Sequence, residues 1–152
     1  MTISLGNDHC GYPLKADVIS ILDSLGVEYV DHGCHSTDPV DFPLIVKDVC
    51  RTITEGRAER GLLICGTGIG AAMAANKTPG IRAGLCHDTY SAHQGVEHDD
   101  MNVMCLGAMI VGPWLARDLI TAYLTAEFST SEQFRRRVGM LREMDESLGK
   151  HD

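Results

Sequence analysis

The chain has 152 residues, of which 44% are hydrophobic and 22% are charged, and its formal net charge is −8 at pH 7. These values are those of an ordinary folded domain and argue against a disordered or coiled-coil protein. An acidic chain without a basic block is not typical of nucleic-acid-binding proteins, and no apolar run is long enough to cross a membrane. We expect one domain, residues 1–152, that binds neither nucleic acid nor a membrane.

Short apolar runs alternate with amphipathic stretches along the chain, and this alternation predicts an α/β fold with a parallel sheet. The first strand begins at residues 3–5, directly after Met1, so we expect no signal peptide. The next helix has a predicted apolar face formed by Leu14, Val18, Ile21, Leu22 and Leu25, and Gly26 ends it. Four more strands are predicted at residues 27–30, 61–64, 81–85 and 103–106. Five more helices are predicted: one from Asp41 to about Thr54, one through residues 73–76, one that begins at Asp88, one at 114–124 and one at 132–148.

Six cysteines are spread along the chain, at positions 10, 34, 50, 65, 86 and 105. Several lie in apolar strand runs, which favours reduced thiols and a cytoplasmic protein. Cys10, Cys50 and Cys105 are expected to be small core residues. Because there is no C-x-x-C pair, we predict no zinc site and no other metal site.

The most informative segment is residues 62–72, where an apolar strand leads into Cys65 and a glycine-rich turn that opens a helix. Glycines at 66, 68 and 70 allow successive backbone N–H groups to converge on an oxyanion or a phosphate. The helix dipole is expected to lower the pKa of Cys65, which would make this thiol a base or a nucleophile. A buried core thiol is the alternative at this position.

Ligands of open parallel sheets bind beyond the carboxyl ends of the strands, near the point where the strand order reverses. Polar residues follow or precede several predicted strands here: Asp8, His9, Cys65, Thr67, Cys86, His87, Asp88, His98, Asp99 and Asn102. Plainer roles are open to some of them, since Asp8 could cap the first helix and His98 could be a solvated side chain. A dinucleotide site also stays open, because Gly66-x-Gly68-x-x-Ala71 with Asp88 downstream matches a dinucleotide-binding fingerprint.

Six segments together resemble the ribose-5-phosphate isomerase B and galactose-6-phosphate isomerase family. They are GNDHCGYPLK at 6–15, DFP at 41–43, ICGTGIG at 64–70, ANK at 75–77, GIRA at 80–83 and EHDDMN at 97–102. Their shared order across nearly the whole chain is more specific than any single motif. The resemblance implies a Rossmann-like three-layer αβα sandwich without metal or cofactor. It also implies a homodimer or homotetramer with each active site between two subunits.

The last helix, residues 131–148, carries a narrow apolar stripe formed by Phe134, Val138, Leu141 and Met144. We expect this stripe to reach a partner subunit. The last helix also carries Arg137, which the resemblance matches to a phosphate ligand of the family. The forked guanidinium of arginine suits phosphate oxygens.

The resemblance also implies an aldose–ketose isomerase that converts a sugar phosphate through an enediolate, with ribose 5-phosphate and ribulose 5-phosphate as the first choice. Such a reaction needs a base that moves a proton between neighbouring carbons and donors that hold the enediolate oxygen. Cys65 corresponds to the base and His98 to the residue that helps to open the sugar ring. The other catalytic candidates are Asp8 and Thr67, and the candidates for sugar or phosphate binding are His9, Gly66, Gly68, Ile69, Gly70, Asp99, Arg136 and Arg137.

Four residues depart from the family pattern, which has asparagine at Asp99, tyrosine at Phe42, and arginine at both Gln133 and Met109. These departures leave open a tetrose phosphate, a hexose phosphate or a free sugar as the substrate. Two other classes of function also remain: a nicotinamide-dinucleotide-binding protein that uses the glycine turn, and a sugar-phosphate-binding protein without catalytic activity.

Overall fold

The computed structural model describes residues 1–148 and contains one parallel five-stranded sheet. The strands are β1 (Thr2–Asn7), β2 (Glu28–Asp31), β3 (Arg60–Cys65), β4 (Ala83–Leu85) and β5 (Val103–Gly107). The helices are α1 (Tyr12–Ser24), α2 (Phe42–Thr54), α3 (Ile69–Ala75), α4 (Thr89–Asp99), α5 (Pro113–Thr125) and α6 (Glu132–Leu148). The strands lie in the order β2-β1-β3-β5-β4. The predicted α/β fold and every predicted element are confirmed.

Alternate residues of the central strands face two separate hydrophobic cores. In β3, Leu62 and Ile64 belong to the core under α1, α4 and α5, whereas Leu63 packs with the core under α2 and α3. β5 alternates in the same way. Helices cover both faces of the sheet, so the three-layer αβα sandwich is confirmed. Burial on both faces also explains why these strands are continuous apolar runs.

Three local predictions were wrong. Leu25 follows the last turn of α1 and is 38% exposed, so it is not on the buried face. Cys10 is only half-buried, unlike Cys50 and Cys105, because it lies in the turn before α1. β4 begins at Ala83 rather than at residue 81, because the N–H of Arg82 donates to the side chain of Asn102 at 2.8 Å instead of to a neighbouring strand.

The last helix, α6, packs on α4 of its own chain. Val138 is buried there, but Leu141 and Met144 farther along the predicted stripe are exposed. One chain therefore covers only part of the stripe, and its contact with a partner subunit stays a prediction. Among residues 1–148, no helix combines the length and apolarity needed to span a bilayer.

Candidate active site

The strand order places a crevice between β1 and β3. The chain passes from β1 to β2 on one side and returns to β3 on the other, so the strand order reverses between β1 and β3. Open parallel sheets bind ligands at such a point, beyond the carboxyl ends of the strands. Asp8 directly follows β1, and Cys65 is the last residue of β3. The topology thus brings together two residues that are 57 positions apart.

The Asp8 carboxylate is 5% exposed and uses both of its oxygens. Oδ1 accepts the N–H of Gly11 at 2.8 Å, and Oδ2 accepts the thiol of Cys65 at 2.9 Å. Gly11, not Asp8, is the N-cap of α1. A Cβ on Gly11 would lie 2.0 Å from the carbonyl oxygen of Ile64, so glycine is needed there to let the turn approach β3. Asp8 therefore fixes the turn before α1 and orients the Cys65 thiol.

The expected lowering of the Cys65 pKa was wrong. Burial, the hydrogen bond to Asp8 and the negative charge of Asp8 together raise the pKa of the Cys65 thiol. The backbone N–H groups of Gly66 and Gly68 act in the opposite direction but do not outweigh these effects. The sequence analysis considered the dipole of the following helix and did not consider a carboxylate from another strand. The Cys65 thiol therefore donates a hydrogen bond to Asp8, and its pKa lies above that of an ordinary cysteine.

The glycine turn after Cys65 opens α3, as the sequence predicts. Gly68 is the N-cap of α3 with φ of 79°, and a Cβ there would lie 3.0 Å from the carbonyl carbon of Leu106. Gly70 has little room because the ring of Phe42 lies 2.9 Å from the position of a Cβ. Both residues must therefore be small, and neither carries a side chain of its own beside the N–H groups of the turn.

Other predicted residues border this crevice. Thr67 is exposed and accepts the N–H of Ile69 at 3.4 Å. His9 is half-buried, and its Nδ1 accepts the N–H of Val40 at 3.2 Å. Met109, one of the four departures, donates its N–H to the carbonyl of Gly66 at 3.0 Å. We call Asp8, His9 and residues 65–70 the strand-end group.

His98 and Arg137 lie elsewhere, on α4 and α6. The ring of His98 stacks on Phe134, with centroids 3.9 Å apart and an angle of 14° between the planes. Its Nδ1 is 3.0 Å from Nε2 of Gln94. The guanidinium of Arg137 lies 5.9 Å from the centroid of the same Phe134 ring. We call His98, Phe134 and Arg137 the helix group.

The sequence analysis assigned Phe134 only to the apolar stripe and missed its contact with His98. The spacing of Phe134, one helical turn before Arg137, indicates only that the two residues share a face of α6. Asp99 and Arg136 are both exposed, and Asp99 borders an open groove of about 480 Å³ between α4, β4 and α6. Within residues 1–148, no hydrogen bond or ion pair joins the helix group to the strand-end group.

Comparison with known proteins identifies the family. The family model described as Ribose/Galactose Isomerase matches residues 3–141. The chain belongs to this family. Ribose-5-phosphate isomerase B of Escherichia coli is 40% identical over 83% of the chain and 85% of that protein. The D-erythrulose-4-phosphate isomerase of Pectobacterium atrosepticum is 38% identical over 84% of the chain and 85% of that protein.

A solved structure of another member of the Ribose/Galactose Isomerase family is similar throughout. Ribose-5-phosphate isomerase B of Clostridium thermocellum superposes with a TM-score of 0.93 and 40% identity, over 97% of this chain and 99% of that one. The predicted family resemblance is confirmed. Membership also favours an isomerase over the dinucleotide-binding alternative. Asp88, the ribose-binding candidate of that alternative, instead caps α4 by accepting the N–H of Ser91 at 2.7 Å.

Proposed function

We propose that this member of the Ribose/Galactose Isomerase family is an aldose–ketose isomerase that interconverts ribose 5-phosphate and ribulose 5-phosphate. The main support is the Cys65 thiol, which lies 2.9 Å from a buried carboxylate and directly before a glycine-rich turn. Relatives named ribose-5-phosphate isomerase B support the choice of sugar.

In the proposed reaction, Cys65 moves one proton between two carbons. Its own proton first passes along the hydrogen bond to Asp8, which leaves a thiolate. The thiolate takes the proton from C2 of the open aldose, and the negative charge moves to the C1 oxygen as an enediolate. Backbone N–H groups of Gly66 and Gly68 hold the negative charge, with the Thr67 hydroxyl as a further donor. The C2 hydroxyl gives its proton to the C1 oxygen as Cys65 returns the carbon-bound proton to C1, which gives the ketose. Asp8 then returns its proton to the Cys65 thiolate.

The helix group supplies the remaining functions in this proposal. His98 is suited to ring opening, because an imidazole can give and take protons near neutral pH. Arg137 binds the phosphate, and Arg136 and Asp99 are further candidates for substrate binding. His9 binds sugar hydroxyls. We propose that a second copy of the chain supplies the helix group, in a homodimer or homotetramer.

Exposed apolar side chains around the strand-end group support such an assembly. Ile69, Met73 and Met109 surround the turn, and Trp114 is 84% exposed. Several large exposed apolar side chains on one domain are typical of a protein that forms a protein–protein interface. We also propose a cytoplasmic location, because all six cysteines are free.

A tetrose phosphate is the second candidate substrate. The relative named D-erythrulose-4-phosphate isomerase is 38% identical to this chain, close to the value for the E. coli ribose-5-phosphate isomerase B. Two departures from the family pattern lie at the site itself, because Phe42 packs against Gly70 and Met109 lies beside Gly66. Neither side chain offers a hydroxyl or a guanidinium to a sugar phosphate.

A panel of sugars in deuterated water tests both candidates. Ribose 5-phosphate, erythrose 4-phosphate, allose 6-phosphate and free ribose are each incubated with the protein, and NMR follows ketose formation and deuterium uptake. Cys65→Ala serves as the background for each sugar. We expect the highest kcat/KM for ribose 5-phosphate. A higher value for erythrose 4-phosphate would transfer the proposal to the tetrose, whereas binding without any exchange would indicate a silent sugar-phosphate-binding protein.

A further inference from the structure

Three consecutive residues in the turn before α1 present different metal-ligating atoms to one point. A carboxylate oxygen of Asp8, a ring nitrogen of His9 and Sγ of Cys10 all lie within 4.8 Å of one another. We propose that Asp8, His9 and Cys10 form a site for a thiophilic divalent cation such as Zn²⁺, and that filling this site inhibits the isomerase. Only the inhibition rests on the proposed function.

The three donors suit zinc in type and in spacing. Carboxylate, imidazole and thiolate are the common protein ligands of zinc, with bonds of about 2.0–2.3 Å. Tetrahedral bonds of that length hold ligand atoms roughly 3.4–3.7 Å apart, so side-chain rotations must close only about one ångström. As the zinc–sulfur bond forms, the Cys10 thiol gives its proton to solvent. The fourth position stays open to water.

The sequence contains no C-x-x-C pair, and the prediction of no zinc site rested on that absence. The ligands here are instead adjacent in sequence, and the turn before α1 directs them to one side. Asp8 is buried, while His9 and Cys10 are half-buried and therefore accessible from solvent. Each Asp8 oxygen accepts one hydrogen bond and keeps a second lone pair, so a cation can bind without breaking the bond to Gly11.

Occupation of the site changes two neighbouring contacts. A cation on the Asp8 carboxylate lowers its basicity, so Asp8 takes the Cys65 proton less readily, and this effect is the basis of the inhibition. The bond between His9 and Val40 must also break. A cation on Nδ1 takes the lone pair that now accepts the Val40 N–H, and a cation on Nε2 requires a proton on Nδ1. Zinc should therefore release the Val40 amide, and its hydrogen exchange should become faster.

Metal binding is measured directly on chelator-treated, desalted protein. Zn²⁺ is titrated by calorimetry, and Co²⁺ by its thiolate charge-transfer absorption, in the wild type and in Cys10→Ser and Cys10→Ala. Cys34→Ala is the matched control, because Cys34 is another half-buried free thiol. We expect one zinc per wild-type chain and at least tenfold weaker binding, without the cobalt band, in both Cys10 variants. Cys34→Ala and Cys65→Ala should keep the band.

Inhibition is measured separately, with each variant compared to its own metal-free rate. At least tenfold more zinc should be needed to inhibit Cys10→Ala than the wild type. Equal zinc affinity in Cys10→Ala and the wild type would overturn the site, as would a cobalt band that depends on Cys65 and not on Cys10. If the proposed isomerase function failed, turnover would be absent in metal-free protein as well, and the binding comparison would remain decisive for the site.

Discussion

The strand-end group and the helix group differ in how firmly the fold holds them. Asp8 and Cys65 lie at the ends of central strands and are bonded to each other and to buried backbone. In the helix group, Arg137 is exposed, and within residues 1–148 no hydrogen bond or ion pair holds it; its guanidinium only approaches Phe134. Under the proposed function, the sheet would fix the position of proton transfer, whereas phosphate binding would be left to side chains on a helix surface.

This difference suits the two tasks. A proton donor and acceptor must be positioned to within a fraction of an ångström, and side chains anchored on strands achieve that more readily than long surface side chains. A phosphate needs charge and several donors, which a flexible arginine supplies at a greater range of positions. A surface group can also serve a neighbouring subunit, whereas the strand-end group cannot leave its own sheet.

The largest expected effect comes from the strand-end group. Cys65→Ala should lower kcat by about 10²–10⁴-fold, since a positioned base contributes that much. Sugar-phosphate binding and the melting temperature should change little. The measurement is deuterium exchange and turnover with ribose 5-phosphate, together with a thermal melt.

Cys50→Ala is the matched control, because it removes a buried thiol from α2, away from the crevice. That variant should lose stability and keep its kcat. Unchanged turnover in Cys65→Ala would exclude Cys65 as the base and would remove the main difference between the two groups.

The next prediction tests whether the groups of two chains combine. Cys65→Ala and His98→Ala, each nearly inactive alone, are mixed and allowed to exchange subunits. If two chains share each site, half of the dimers are mixed and each has one intact site, so activity should return to about a quarter of the wild-type value.

Cys65→Ala mixed with Asp8→Asn is the control for this exchange. Both changes lie in the strand-end group, so every site in a mixed dimer stays defective and no activity should return. If the His98→Ala mixture also stayed inactive although native mass spectrometry showed mixed dimers, the two groups would have to act within one chain.

The sequence was sufficient for the elements and for most of the strand-end group. Apolar runs such as residues 61–64 mark the strands, and a cysteine before three spaced glycines marks the crevice. The order β3-β5-β4 was not predicted, because local patterns carry no information on which strands pair. The direction of the Cys65 pKa shift was wrong for the same reason, since it depends on Asp8, 57 residues away. Phe134 was missed as a partner of His98 because the contact joins two helices.

A smaller effect is expected in the helix group. Arg137→Ala should raise KM for ribose 5-phosphate by about 10- to 100-fold, the value of a hydrogen bond to a charged group, with a smaller change in kcat. Arg136→Ala is the comparison, because Arg136 is also exposed but, among the described residues, its guanidinium does not lie over the Phe134 ring. Its KM should rise less. Steady-state kinetics measures the KM of both variants. Equal increases in KM would mean that contact with Phe134 does not determine which arginine binds the phosphate.

The smallest expected effect concerns the acidity of Cys65 and sharpens the description of the strand-end group. Burial raises the pKa of the thiol, and Asp8 raises it further through its hydrogen bond and its charge. Asp8→Asn removes the charge and weakens the hydrogen bond, so the thiolate should form at lower pH and iodoacetamide should alkylate Cys65 at lower pH than in the wild type. Peptide mass spectrometry across a pH series measures the midpoint of alkylation at Cys65 alone.

Asp17→Asn is the control, because it removes the same charge from the exposed face of α1 and should leave the midpoint of alkylation unchanged. A midpoint that stayed in place in Asp8→Asn would mean that burial alone sets the pKa. Asp8 would then orient the thiol without holding its proton.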